Sequence, residues 1–238
     1  METRFKIAAS GTAVDEAGLK YDMSDFDGYA VETALQLNEK QGPGETVVIS
    51  LGPDVVQEQL RKALSMGADR AVQLKAERVP TDGLVIARAL AAELKGGAYD
   101  LIFFGRQAVD SANATVGPMV AELLGLPCAT AVSTLDIANG RGTARRDLEG
   151  AAEIVEFALP AVVTIDEGMP RARYPSLKGI MAAKKKEIKD MTLAELGVDA
   201  KAAMTVTSYE APPVRKAGVK VASVDELVQK LHNEAKVI

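Results

Sequence analysis

Tryptophan is absent, histidine and cysteine occur once each, and phenylalanine and tyrosine number five apiece in 238 residues. With His232 as the lone histidine, in the C-terminal tail, there is no basis for a multi-histidine metal centre or a Ser–His couple. With Cys128 alone, an intramolecular disulfide and a cysteine-rich metal site are both excluded, which suits a reducing, cytoplasmic setting. No apolar run approaches the roughly 20 residues that cross a bilayer, so no membrane span is expected. The opening METRFKIAAS lacks the charged-then-apolar layout of a secretory signal. Net charge is −5, which argues against nucleic acid as the natural partner. The sequence shows no self-contained catalytic set and no metal ligand group.

What is present is a series of short apolar runs alternating with helical patterns. Phe5 to Ala9 reads as a first strand, and the acidic stretch Asp15 to Asp27 as an irregular loop. From Tyr29, Ala30, Val31, Ala34, Leu35 and Leu37 keep a helical period, stopped by Gln41-Gly42-Pro43-Gly44. TVVISL (46–51) is a buried strand, followed by a helix with Val55, Val56, Leu60, Ala63 and Leu64 on one face. A short strand at Ala71–Leu74 precedes a helix capped by Thr81-Asp82. Such alternation indicates βαβ units and a mostly parallel sheet, a three-layer α/β/α, Rossmann-like fold. Short strands at 141–146 and 153–157, about a Glu-Gly-Ala turn, predict a small β-hairpin excursion, and 161–165 a further strand. Beyond Met169 long regular elements disappear. Residues 201–221, with Pro212-Pro213, read as an extended C-terminal arm, and 224–231 as a terminal helix. The expected division is a nucleotide-binding α/β domain over 1–200 and an arm over 201–238 that packs on a partner.

The chain is organised around Asp100 to Pro127, DLIFFGRQAVDSANATVGPMVAELLGLP. Leu101-Ile102-Phe103-Phe104 is a strand buried on both faces, stopped at Gly105. A polar loop follows, then Met119, Val120, Leu123 and Leu124 at helical spacing, closed by Gly125-Leu126-Pro127. Backbone N–H groups and the helix dipole favour an anion at such a junction. Gly117 would let backbone approach a phosphate, and Pro118 suits a first helical turn. The segment matches neither the P-loop nor GxGxxG. By spacing alone it is either an anion site or an ordinary βα connection.

The segment GRQAVDSANATVGPMVAELLGLP resembles the signature of the electron transfer flavoprotein β subunit. RARYPSLKGIMAAKKKEI (171–188) and APPVRKAGVKV near the C-terminus agree in order and spacing, so the likeness spans the chain. The resemblance implies an adenine nucleotide, AMP, contacted by Ala9, by Ser24, Asp25, Phe26 and Asp27, by Leu51, and by the Gly105–Val116 loop. In that loop Arg106, Gln107, Asp110, Asn113, Ala114 and Thr115 are the candidate contacts. It further implies FAD held mainly by an α subunit in a heterodimer, with Phe26 the nearest residue of this chain. Val116 stands where ordinary members carry a threonine, and Val116-Gly117-Pro118 with Arg106 resembles the electron-bifurcating members, which hold a second FAD there.

The resemblance also makes 171–190 a recognition loop, in which Leu177 docks on a partner dehydrogenase with Tyr174, Ile180 and Met181 beside it. Lys178 and Lys184 to Lys186 would form a charged rim. Asp147 matches an acidic position that orients the mobile FAD domain of α. The expected role is an electron carrier subunit. It accepts electrons from flavin dehydrogenases, acyl-CoA dehydrogenases first among them, and passes them toward a quinone reductase. The alternatives are a bifurcating subunit that oxidises NADH, and a free-standing adenine-nucleotide-binding module.

Overall fold

The computed structural model describes residues 5–42, 44–215 and 217–238; Pro43 of the expected helix stop and Lys216 of the arm lie outside it. In chain order the elements are α1 (Asp25–Gln41), β1 (Val47–Gly52), α2 (Val56–Met66), β2 (Arg70–Lys75), α3 (Gly83–Lys95) and β3 (Leu101–Gly105). Then come α4 (Val116–Leu124), β4 (Cys128–Ala138), β5 (Arg141–Leu148), β6 (Ala151–Ala158) and β7 (Ala161–Ile165). The last are α5 (Leu177–Ala183), β8 (Ile188–Thr192) and α6 (Val224–Lys230), followed by one π-type turn, Leu231–Ala235. The chain divides into two compact units, Ala17–Val206 and the two chain ends up to Glu16 and from Thr207.

The larger unit carries two sheets. One is fully parallel, in the order β1-β2-β8; the other is mixed, β3-β7-β4-β5-β6. In the mixed sheet β3, β7 and β4 run parallel, while β4-β5 and β5-β6 are antiparallel ladders. Side-chain alternation sorts these strands into two faces. Val72 and Leu74 of β2, Ile102 of β3 and Val162 of β7 pack with Ala87, Leu90 and Leu94 of α3 and Val120 of α4. That one cluster spans both sheets, so α3 and α4 form a shared layer. On the opposite face α1 covers the mixed sheet through Ala30, with Val132, Val163 and Ile165, while α2 and α5 cover the parallel sheet through Leu60, Leu64 and Ala183. The result is three layers. Each fully buried valine or leucine here contributes about 1.5–3 kcal/mol.

Three expectations change. Phe5 to Ala9 forms no strand: Ile7 makes one antiparallel bridge to Val14, because Gly11 at φ +71° turns the chain back on itself. Phe5 stays 68% exposed. Residues 25–27, expected in a loop, are the first turn of α1, with acids at its N-terminus where the helix dipole favours them. A long strand, β4, occupies 128–138, and β8 adds to the parallel sheet beside β2. In β4 the register shifts between Ala129 and Val132 and again before Thr134, which breaks the period-two pattern by which a strand is read.

The hairpins follow their turn residues. Asn139 (φ +51°) and Gly140 (φ +72°) join β4 to β5, a pairing of positive-φ residues that matches strand twist. Glu149-Gly150 joins β5 to β6.

In the smaller unit Tyr209 N–H donates to the Gly11 carbonyl. Ser223 caps α6 by accepting from Glu226 N–H, and the Glu226 carboxylate accepts from Ala222 N–H. The described residues of 207–215 and 217–221 form no regular structure, and α6 buries none of its residues. The arm and terminal helix expected from sequence take this form.

Candidate functional site

The C-terminal end of β3 is built against the start of α1. Gly105 N–H donates to Asp27 Oδ1 at 3.0 Å. A Cβ at Gly105 would stand 2.6 Å from Asp27 Oδ1, 2.7 Å from Asp27 N and 2.8 Å from the Phe26 carbonyl carbon. Only glycine allows that approach. Asp27 keeps solvent contact, yet the protein packed around it desolvates its carboxyl and pushes its pKa up, with the Gly105 N–H pulling the other way. Ser24 Oγ reaches the Gln107 carbonyl at 3.4 Å, a second tie between α1 and the loop. Phe26 stacks edge-on against Tyr29, ring centroids 6.4 Å apart.

Beyond Gly105 the loop is pinned at its root. Arg106 N–H donates to the Ile165 carbonyl at 2.8 Å, and its guanidinium pairs with Asp166 at 2.9 Å. Asp110, Asn113, Ala114 and Thr115 are exposed, and Ala112 and Ala114 take left-handed φ of +51° and +52°. Thr115 precedes α4 without a side-chain cap, and no acid stands in that helix's first turn. The first-turn N–H groups of α4, those of Val116 and Gly117 since Pro118 has none, therefore have no anionic side chain to cap them. Val116 offers no hydroxyl and packs its side chain against the core.

The start of α3 lies next to that of α4, since a Cβ at Gly83 would be 3.1 Å from Thr115 Oγ1. It differs in carrying a side-chain cap. Asp82 accepts from Leu84 N–H at 2.9 Å and, on its other oxygen, from Ala203 N–H at 2.7 Å and Met204 N–H at 3.2 Å. These donors, Leu84 first, hold its carboxyl below the usual carboxylate range. The α4 terminus is thus the one open to an anion, and the α3 terminus is filled by the chain's own carboxylate.

Gly117, expected to let backbone approach a phosphate, has a different role. A Cβ there would lie 2.6 Å from Thr164 Cγ2 and 3.4 Å from the Phe104 ring, so this glycine seats α4 on the sheet. Leu51 is 8% exposed and its side chain belongs to the core shared with Val72 and Leu90. Ala9 sits in the turn of the smaller unit.

The second candidate region is 171–181. Ser176 caps α5, accepting from Gly179 N–H at 3.0 Å. Gly179 runs against the Ser65 carbonyl of α2, where a Cβ would collide with the oxygen. With that face and Ala183 turned to the protein, Leu177, Ile180 and Met181 share the other face, at i, i+3 and i+4, in solvent. Leu177 is 78% exposed and Tyr174 97%. A hollow of about 700 Å³ opens beside it between α2 and α5, walled by Tyr21, Gln59, Pro175 and Ile180.

Sequence reasoning missed the anchor of this segment. Arg173 forks onto Glu32 and Glu39 of α1, with Nε to Glu32 Oε2 at 2.8 Å and Nη1 to Glu39 Oε1 at 2.6 Å. The signal was an acid at 32 within an otherwise apolar helical face; Glu32 is only 3% exposed. Lys186, expected on the charged rim, instead turns inward. Its ammonium donates to the carbonyls of Leu64, Gly67 and Ala68 at the C-terminus of α2. Lys184 and Lys185 remain exposed. Asp147 is tied within the hairpin sheet, accepting from Ser133 Oγ at 2.6 Å and Arg145 Nε at 3.0 Å, which together keep its pKa low.

The architecture is that of a three-layer α/β/α domain whose strand-end loops carry an uncapped helix N-terminus, with an apolar segment held in solvent. A family model described as the electron transfer flavoprotein domain matches residues 11–196. The chain is 40% identical to the electron transfer flavoprotein subunit beta of Bradyrhizobium diazoefficiens, over 99% of this chain and 94% of that protein. It is 39% identical to the mitochondrial electron transfer flavoprotein subunit beta of Oryza sativa subsp. japonica, over 99% and 94%, and 38% identical to the electron transfer flavoprotein subunit beta of Mus musculus, over 97% and 91%. The chain belongs to the electron transfer flavoprotein family, as a beta subunit.

Proposed function

We propose that this chain is the β half of an αβ heterodimer that carries electrons on an FAD shared with the α subunit. It accepts them from flavin dehydrogenases, acyl-CoA dehydrogenases first among them, and passes them toward a quinone reductase. The observation that carries the reading is the apolar face of α5: Leu177, Ile180 and Met181 kept in solvent with Tyr174 beside them, the form of a transient docking anchor. The chain length shared with the beta subunits supports the partnership with α. Among the described residues no helix is long and apolar enough to cross a membrane, and the lone cysteine fits a reducing, cytoplasmic setting.

The Gly105 loop suits an adenine nucleotide. Its phosphate end belongs at the uncapped start of α4, with Asn113, Ala114, Thr115 and Val116 around it. Gly105 N–H is already engaged by Asp27, so that end of the crevice suits the neutral part of the ligand. FAD supplies the redox chemistry when bound; this chain's residues position and dock, with Phe26 nearest the flavin and Asp147 toward the FAD domain of α. Val116 in place of a hydroxyl residue favours a second reading, in which the crevice holds another FAD and NADH is oxidised there.

Denaturing the purified complex and quantifying released FAD and AMP tests both. One FAD with one AMP per heterodimer is the expected result. Two FAD and no AMP would replace the carrier reading with the bifurcating one, and a stable homodimer lacking α would overturn both in favour of a free-standing nucleotide-binding module.

A further inference from the structure

We propose that Arg173 is a positioning residue for electron transfer: gripped by Glu32 and Glu39, it sets the pose in which Tyr174 and Leu177 meet the donor dehydrogenase. The inference rests on the docking reading above and adds the device that makes the docking segment rigid.

Residues 170–176 form no helix or strand, so their path depends on side-chain contacts. Arg173 supplies most of them. Besides the two bonds given above, its Nη2 donates to Glu32 Oε1 at 3.0 Å and to Glu39 Oε2 at 3.1 Å. Its own backbone N–H donates to Glu32 Oε2 at 3.1 Å, which fixes the main chain and not only the side chain. Gln36 Nε2 completes the set on Glu32 Oε1 at 2.7 Å. One turn earlier on α1, a Cβ at Gly28 would be 3.3 Å from Ala172 Cβ, so the neighbouring residue is packed tightly too.

The energetics favour a positional role over a stabilising one. A carboxylate as buried as Glu32 must be paired, but replacing such a pair with apolar residues of similar size is often neutral for stability. What an apolar pair could not do is dictate a direction. The planar fork allows one orientation of the guanidinium and hence one course for the chain. The segment is then held at two points, by Arg173 on α1 and by Gly179 against α2, with Tyr174 and Leu177 between them in solvent. Anchors fixed in advance lose less conformational freedom on association, so the effect belongs in partner affinity and not in the redox step.

The test uses the intact heterodimer and an acyl-CoA dehydrogenase reduced with its acyl-CoA substrate. Three variants are compared: Arg173→Lys, the paired Glu32→Met/Arg173→Met, which leaves no buried charge unpartnered, and Leu177→Ala. Measured are KM and kcat for the reduced dehydrogenase, the flavin spectrum and Tm. The first two variants should raise KM about tenfold while kcat and the flavin spectrum stay as in the parent. Adding Leu177→Ala to either should raise KM no further, because both act through one contact. If the Arg173 variants leave KM unchanged while Leu177→Ala raises it, the positioning role is overturned and the docking reading stands. If Leu177→Ala also has no effect, both are overturned. A joint fall in kcat, flavin retention and Tm would reduce Arg173 to a structural residue. Should the paired variant fail to assemble, Arg173→Lys and Glu39→Gln decide on the same readouts.

Discussion

At the residue scale, two glycines show how little a residue type says without its neighbours. Gly105 and Gly117 lie in one stretch and both suggest close backbone approach, yet one faces the start of α1 and the other the sheet. For Gly117→Ala, helix propensity would gain at most about 1 kcal/mol, the figure for a helix interior, since Gly117 lies in the first turn of α4. Against that, Thr164 cannot yield: it is buried, and its Oγ1 accepts from Ala131 N–H at 2.8 Å. Overpacking of this kind costs about 1–3 kcal/mol, so the clash outweighs the gain. Gly117→Ala should lower the denaturant midpoint while the nucleotide content per folded molecule is unchanged; a lost nucleotide with an unchanged midpoint would return Gly117 to the binding loop.

At the element scale, the starts of α3 and α4 differ by one side chain, and that difference decides which can hold an anion. Asp82 fills the first and ties down residues 203–204 at the root of the arm. Its folded pKa lies below the ordinary 3.8, so its contribution is complete above that value and is lost as pH falls through the folded one. Protection of the Ala203 and Met204 amides, taken as exchange relative to the intrinsic rate at each pH, should therefore fall only below about pH 4, and Asp82→Ala should remove the step by freeing the segment at every pH. Protection at these amides that stays constant across that acid range in the parent would show that another contact holds them.

The elements also differ in how far they could be read. Helices α2, α3 and α4 follow their apolar periods, and Gly67 and Gly125 end α2 and α4 as their positive φ requires. Strand β4 was hidden by its register shifts, although Asn139-Gly140 carried a hairpin signal that marks its end. Strand β8 has the pattern of an exposed segment, with only Ile188 and Met191 half-buried, and becomes a strand because β2 offers it an edge.

At the scale of the whole molecule, the two sheets share one helical layer, and the chain ends form a unit of their own. In that unit α6 leaves Val224, Leu227 and Val228 exposed, too much apolar surface on too short a helix to be stable through its own burial. Removing Lys201–Ile238 should weaken assembly with α, so that the truncated chain no longer co-purifies with it. Normal co-purification would assign the interface to the larger unit alone.

The sequence by itself determined the α/β class, the course of helices α2 to α4 and the family, because apolar periods, caps and a contiguous signature are local properties of a chain; the start of α1 and the whole of α5 escaped it. Through the likeness alone it proposed Leu177 as a docking residue, and the structure leaves that side chain exposed. Only the tertiary structure decided that Phe5 to Ala9 turns back on itself, that Gly117 packs and Gly105 leans on Asp27, and that Lys186 caps α2 and is not part of a charged rim. The grip of Arg173 on Glu32 joins residues 141 positions apart, and no local pattern can announce such a pair. It depends on α1 and the 171–176 segment meeting in space, which burial and charge pairing decide together.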